Sequence, residues 1–264
     1  MQKNLGKTVV EHLQNHKSIR SYADKPIDDD LLNSILLSGQ RASSAGNLQS
    51  WSVIVSKDAK KKQQLYEAHY QQSMVLQAPV VLTFCADFYR TISWLKAHQA
   101  KLSFDDFAGF LTGAVDAVIA AQNIAVAAEA HGLGICYMGT TLWSSDTICK
   151  ILKTPDYVIP VTSLVMGYPN EDIKEVRYRL PLQAVVHQEE YVKRSDKETL
   201  DLYAEFEERS WKRYGEFPGM LEKLEKAGIK KVADFYTSDL KYSKALHVKA
   251  SKMLMALLKD KKFW

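Results

Sequence analysis

The sequence predicts an α+β domain with a helical C-terminal extension, and three observations carry that expectation. Residues 79–86 (PVVLTFCA) and 161–167 (VTSLVMG) are short, nearly continuous apolar runs, the signature of strands buried on both faces. Residues 107–131 are alanine-rich and apolar nearly all round, as expected of a helix buried in the core or between subunits. Beyond Val192 the pattern becomes amphipathic and basic, with 17 Lys/Arg against 12 Asp/Glu. The domain expectation is a core over residues 1–191 and a helical extension over 192–264.

Taken in order, Leu5, Val9, Val10 and Leu13 recur at helical spacing and predict a first helix ending near Asn15. A basic heptad follows as an extended exit, and Pro26 disfavours helix at Lys25. Asp28, Asp29 and Asp30 place acids at the positive end of a second helix carrying Leu31, Leu32, Ile35 and Leu36, with Gly39 in its later part. Residues 42–47 form a small, polar loop, and residues 51–55 (WSVIV) a strand. Asp58 caps a charged helix through Tyr66. The long helix ends at Gly132-Leu133-Gly134, and residues 135–139 (ICYMG) re-enter the sheet. A short helix spans 146–152 and stops near Pro155. Residues 200–214 and 238–259 read as amphipathic helices, the second with Leu246, Met253, Leu254, Leu257 and Leu258 as its packing stripe.

Composition narrows the function. The net charge is +4, from 35 basic and 31 acidic residues, too small to argue for nucleic acid. The basic C-terminal helix interleaves with acids upstream and reads as a solvated face. The apolar stretch 114–130 carries Asp116, Gln122, Asn123 and Glu129, which suits a buried helix with structural hydrogen bonds better than a membrane span. Cys85, Cys136 and Cys149 are odd in number and without a CxxC, so reduced core thiols and a cytoplasmic location are the expectation. Residues 1–6 (MQKNLG) lack the apolar core of a secretory signal, in keeping with that expectation.

Familiar catalytic motifs are missing. There is no GxxxxGK[ST], Gly132, Gly134 and Gly139 do not space as GxGxxG, and no HExxH or nucleophile elbow occurs. What stands out is residues 16–22 (HKSIRSY): His16, Lys17 and Arg20 as cations, Ser18 and Ser21 as hydroxyls. Arg offers a planar fork of donors and Lys a point charge, a set suited to a phosphate monoester. A second basic cluster, Arg177-Tyr178-Arg179, lies downstream. Anion and ring binders without an acid, base or nucleophile of their own fit a protein whose reactive atom belongs to a cofactor.

The heptad followed by Lys25-Pro26-Ile27 resembles the opening motif of the FMN-dependent nitroreductases, in the branch of larger flavin reductases and oxygen-insensitive NADPH nitroreductases. The resemblance continues through Ala42-Ser43-Ser44, Phe84-Cys85-Ala86-Asp87, the Asp116 to Glu129 helix, residues 132–139, Gly167-Tyr168-Pro169 and Arg179-Leu180-Pro181. It implies a mixed central sheet flanked by helices, a domain-swapped type of homodimer, and FMN in a cleft at the subunit interface. It also implies that His16, Lys17, Ser18, Ile19 and Arg20 hold the phosphate and ribityl chain, together with Arg177 and Arg179, Arg177 standing where the family has lysine. By the same resemblance Ser44 and Gln72 lie near the ring, and Tyr137, Met138 and Gly139 line it. Thr140 stands where relatives often have a second glycine. Arg209 and Arg213 are candidates for the 2′-phosphate of NADPH, with NADPH or NADH as co-substrate. The expected activity is ping-pong transfer of hydride from reduced nicotinamide through FMN to a nitroaromatic, quinone or flavin acceptor, with no protein catalytic group and no metal. The alternative is a non-enzymatic flavin-binding or sensory module. No nucleic-acid or membrane partner is expected.

Overall fold

A computed structural model describes residues 9–264. Its elements in chain order are α1 (Val9–Gln14), α2 (Asp29–Gln40), β1 (Trp51–Ser56), α3 (Ala59–Ala68), α4 (Met74–Gln77), β2 (Val80–Asp87), α5 (Tyr89–Ala97), α6 (Phe107–Ala130), β3 (Gly134–Met138), α7 (Ser145–Leu152), β4 (Val158–Gly167), α8 (Asp196–Gly215), α9 (Met220–Lys226), α10 (Val232–Thr237) and α11 (Lys244–Asp260). Leu5, part of the expected first helix, lies outside the described residues.

The expected strands and long helices form where the sequence places them. Asp28 and Asp58 are the N-caps of α2 and α3, each side chain accepting backbone N–H bonds of the first turn. Four short helices, α4, α5, α9 and α10, come in addition. The last expected helix starts at Lys244 rather than Ser238. Ser238 instead stops α10, its hydroxyl donating to Phe235 O at 2.8 Å.

The sheet runs β1-β2-β4-β3, and all three ladders are antiparallel. Its mixed character rests on one parallel bridge, Ser18 to Ile135, which lays the basic heptad along β3. Every residue of β2 is buried, and in β4 all but Thr162 are. The β2–β4 register slips between Phe84 and Cys85, where Pro160, lacking an N–H, faces Cys85.

Both faces of the sheet are covered. Leu82, Phe84, Ala86, Leu164 and Met166 pack with Ile35 of α2 and with Ala117, Ala121, Ile124 and Ala128 of α6. Val81, Val165, Cys136 and Met138 face Leu65, Met74, Val75 and Ile148, with Ile19 and Tyr22 from the heptad. By length and composition α6 could cross a bilayer; here nine of its residues are buried, among them Asp116, Ala117 and Ala120. Gly132, at φ +77°, takes the left-handed turn that ends α6.

The chain divides into two compact units, one of residues up to Lys174 together with Ala250–Trp264, the other Glu175–Lys249. This division differs from the 191/192 boundary read from the sequence. The cause is apolar packing: Leu257, Leu258 and Phe263 are buried with Phe88, Ile92, Cys149 and Ile159 of the first unit. In the second unit α8 opens with a capping box between Ser195 and Glu198, and Leu224, Ile229 and Phe235 form a small core with Trp211 and Tyr214 around it.

Gly134 controls the placement of the heptad. A Cβ there would stand 2.6 Å from Ile19 Cγ1 and 2.7 Å from Ile19 Cβ. Gly134→Ala should therefore destabilise the protein by about 2 kcal/mol and lift the heptad from β3. Urea unfolding gives the first effect and faster amide exchange at Ile19 the second; unchanged exchange would argue against this close approach as the positioning element.

Candidate functional site

The heptad meets β3 at one parallel bridge, Ser18 to Ile135. The Ile19 N–H donates to Ile135 O at 2.8 Å, and Tyr22 bridges to Pro169. Ile19 and Tyr22 turn into the core, where the Tyr22 hydroxyl donates to Ile19 O at 2.6 Å and burial drives its pKa up. Lys17 is half-buried and Arg20 exposed. Lys17 Nζ donates to Ile173 O, while among the described residues the Arg20 guanidinium donates only to Ser18 O of its own segment, at 3.3 Å. The Glu171 carboxylate accepts from the backbone N–H groups of Arg20 and Ser21.

His16 Nδ1 lies 2.6 Å from Glu129 Oε1 on α6. The carboxylate accepts there, so Nδ1 carries the proton, and the ring is fixed in orientation. Together with His12, Lys17, Gly132 and Gly134 these two residues line a cleft of about 420 Å³.

At the far end of β3, Met138 is buried and the Tyr137 hydroxyl donates to Gln122 Oε1 at 3.3 Å. Burial, then the nearby Glu129 charge, raises the Tyr137 pKa and keeps the phenol neutral. A Cβ added to Gly139 would meet nothing within 4 Å, so the backbone there faces open space. Thr140 follows, and its Oγ1 lies 3.3 Å from Gln72 Nε2 and 2.8 Å from His69 Nδ1.

The first unit thus gathers His16 to Arg20, Tyr137 to Thr140 and Gln72 around β3. Ser44 is placed elsewhere: its hydroxyl donates to Asp116 Oδ2 at 2.7 Å. Asp116 and Glu129 are thirteen residues apart on α6, roughly 20 Å at 1.5 Å per residue. Arg177, Arg179, Arg209 and Arg213 belong to the second unit. Arg177 and Arg179 are exposed. Arg209 is held by Glu205 at 2.7 Å and lies over the Tyr178 ring, whereas Arg213 contacts the face of Phe217, 5.4 Å from its centroid.

Three participants escaped the sequence reading: Glu171, His69, and Glu129 as the partner of His16. In the sequence Glu129 reads only as a structural hydrogen-bonder. Its partner lies 113 residues away, a separation that no local pattern encodes. His69 follows the last turn of α3, where helical periodicity has ended and a histidine reads as surface; it is in fact 0% exposed.

Burial alone lowers the His69 pKa to about 4. The unfolded chain then binds its proton first, so stability falls as pH drops below about 6.5 and levels off below about 4. By pH 5 the loss from this one group is about 2 kcal/mol. Urea midpoints at pH 7.5 and pH 5 should converge in His69→Asn relative to the parent; an unchanged difference would remove His69 as the source.

The chain is similar to known proteins along most of its length. A family profile described as the Nitroreductase family matches residues 13–168. The FMN reductase (NADPH) of Bacillus subtilis is 33% identical over 198 residues, 74% of this chain and 79% of the relative. The FMN reductase [NAD(P)H] of the same organism is 37% identical over 190 residues, 71% and 76% of the two chains. The solved structure of the NfrA1 nitroreductase of B. subtilis superposes with a TM-score of 0.84 at 28% identity, covering 97% of this chain and 99% of its own.

Proposed function

The chain belongs to the nitroreductase family, and from that membership we propose that it works as an FMN-dependent NAD(P)H oxidoreductase with nitroaromatic, quinone or flavin acceptors. The observation that carries this reading is the assembly of three matched groups on β3. Lys17 and Arg20 supply positive charge and forked donors for the FMN phosphate. Gln72 and the backbone around Gly139 suit a planar ring, because among the described residues nothing beyond its chain neighbours comes within 4 Å of a Cβ added to Gly139. FMN, when bound, supplies hydride acceptance and donation at N5. The chain orients it, and the open side leaves room for nicotinamide and acceptor to enter in turn. Tyr137, kept neutral, can only donate or accept a hydrogen bond there.

The distance of Ser44 from the β3 assembly supports a site finished by a second copy. Helix α6 offers the surface: Phe107, Leu111, Val115 and Val118 recur on one face and are 45%, 52%, 51% and 49% exposed. A homodimer through this face removes that apolar stripe from water. Free, buried cysteines agree with a reducing compartment, and we assign the protein to the cytoplasm.

Arg177 and Arg179 keep the phosphate role that the family motif gives them. Of the two nicotinamide candidates, Arg213 is the better, since Arg209 is already paired with Glu205. Arg213→Ala should lose about tenfold in NADPH efficiency with NADH unaffected; equal losses would sink the assignment. The function as a whole is tested by the absorption spectrum of protein purified with FMN, followed by NADH and NADPH titration and steady-state turnover. Parallel double-reciprocal lines are expected, and converging lines would exclude ping-pong. A colourless protein without NAD(P)H oxidation would overturn the reading, and bound FMN without turnover would leave a flavin-binding module.

A further inference from the structure

Gln72 is held in one of its two amide orientations. Its Nε2 lies 3.0 Å from the His69 backbone oxygen and 3.3 Å from Thr140 Oγ1. A backbone carbonyl only accepts, so the atom facing it must be the nitrogen. Both amide hydrogens are then used, and Oε1 is left without a partner among the described residues.

The Thr140 hydroxyl is fixed in turn by His69, whose Nδ1 lies 2.8 Å away. The ring is fully buried and Nε2 has no partner among the described residues. A proton on Nε2 would be an orphaned buried donor, whereas a proton on Nδ1 leaves only a bare lone pair, the less costly arrangement. Nδ1–H therefore donates to Thr140 Oγ1, which accepts from both His69 and Gln72. Burial keeps the ring neutral throughout the neutral range, so this arrangement does not change with protonation.

The backbone reinforces it. Tyr70 and Gln71, between the two partners, both adopt left-handed φ, at 56° and 57°. Non-glycine residues rarely do so, and two in succession reverse the chain so that Gln72 returns over the end of α3. A strained turn, a buried histidine and a threonine from the far end of β3 converge on one carboxamide.

We infer that His69 and Thr140 are positioning residues that turn the Gln72 nitrogen inward and present its oxygen as a hydrogen-bond acceptor to the flavin ring. This rests on the FMN-site reading above. An acceptor at that place matches the one N–H on the edge of oxidised isoalloxazine, and it does not match the two ring carbonyls. Thr140, which departs from the family's usual glycine, is then the residue that locks the amide.

The test measures FMN dissociation constants by quenching of flavin fluorescence, with thermal melting alongside. Thr140→Val should weaken FMN binding about fivefold, the loss of one hydrogen bond's worth of orientation. Thr140→Ser, which keeps the hydroxyl, should bind within about twofold of the parent. Thr140→Gly removes the hydroxyl without adding bulk and substitutes for the valine variant if that does not fold. Gln72→Glu should bind worse than Gln72→Ala, because it sets a carboxylate oxygen against the His69 carbonyl. In a Gln72→Ala background, Thr140→Val should add nothing. An undiminished effect in that background, or valine and serine variants that bind alike, would overturn the positioning role while leaving the FMN site intact. A Gln72→Ala protein that binds FMN as tightly as the parent would remove Gln72 from the ring and the inference with it. No FMN binding by the parent would overturn the site itself.

Discussion

Asp116→Ala should lower the unfolding free energy by about 3–4 kcal/mol, the largest stability effect expected of any single side chain described here. Asp116 is 2% exposed and accepts four hydrogen bonds. The donors are Ser44 Oγ at 2.7 Å, the Ala45 N–H at 3.0 Å, and the Ser50 N–H and Oγ at 3.2 and 2.8 Å. Ser50 is fully buried, so alanine strands both of its donors in the core. Asp116→Asn keeps an oxygen where Oδ2 serves Ser44 and Ser50 and gives up only the Ala45 contact, for a cost of about 1 kcal/mol. Urea unfolding of both variants checks the order. An alanine variant within about 1 kcal/mol of the parent would show that the carboxylate is not the hub of this loop.

Arg20→Ala should have the opposite profile, a large functional effect with almost no structural one. Among the described residues its guanidinium hydrogen-bonds only to Ser18 O, so stability should change by less than about 0.5 kcal/mol. FMN affinity should fall about 10- to 100-fold, the range for losing charge-assisted bonds to a phosphate. Arg20→Lys keeps the charge without the fork and should fall between. Fluorescence titration with FMN reads the affinity and thermal melting the stability. Unchanged affinity would take the phosphate away from Arg20; an equal fall in melting temperature would make it a structural residue.

The strands and long helices were legible because each carries its own pattern. The continuous apolar runs of β2 and β4 are buried on both faces, and Asp28 and Asp58 cap the helices they precede. Helices α5 and α9 were not legible. In α5 only Thr91 and Ile92 are buried while Trp94 is exposed, and α9 is a single seven-residue segment with one buried residue. Such elements are set by tertiary packing rather than by periodicity. At the candidate site, residue types were readable and pairings were not. The cations of the heptad are readable in the sequence as candidates for an anion, but Glu129 behind His16, Glu171 on the Arg20 and Ser21 amides, and His69 beneath Thr140 are meetings of distant segments. The packing of the C-terminal segment is a long-range matter too, since nothing local tells Leu257, Leu258 and Phe263 that their partners include Phe88 and Ile159.

That last packing has a consequence for biosynthesis. A ribosome delivers the chain up to Lys174 first, and the segment from Ala250 that covers Phe88, Ile92 and Ile159 comes only after the 75 residues of Glu175–Lys249. At about 5–20 residues per second that delay is roughly 4–15 s. Throughout it the nascent first unit should carry an uncovered apolar surface at Phe88, Ile92 and Ile159, open to chaperones and to neighbouring chains. Arrested chains ending near Lys249 should be cleaved by protease around Phe88 and Ile92, and full-length chains should resist; equal resistance would mean that the core closes without its last segment.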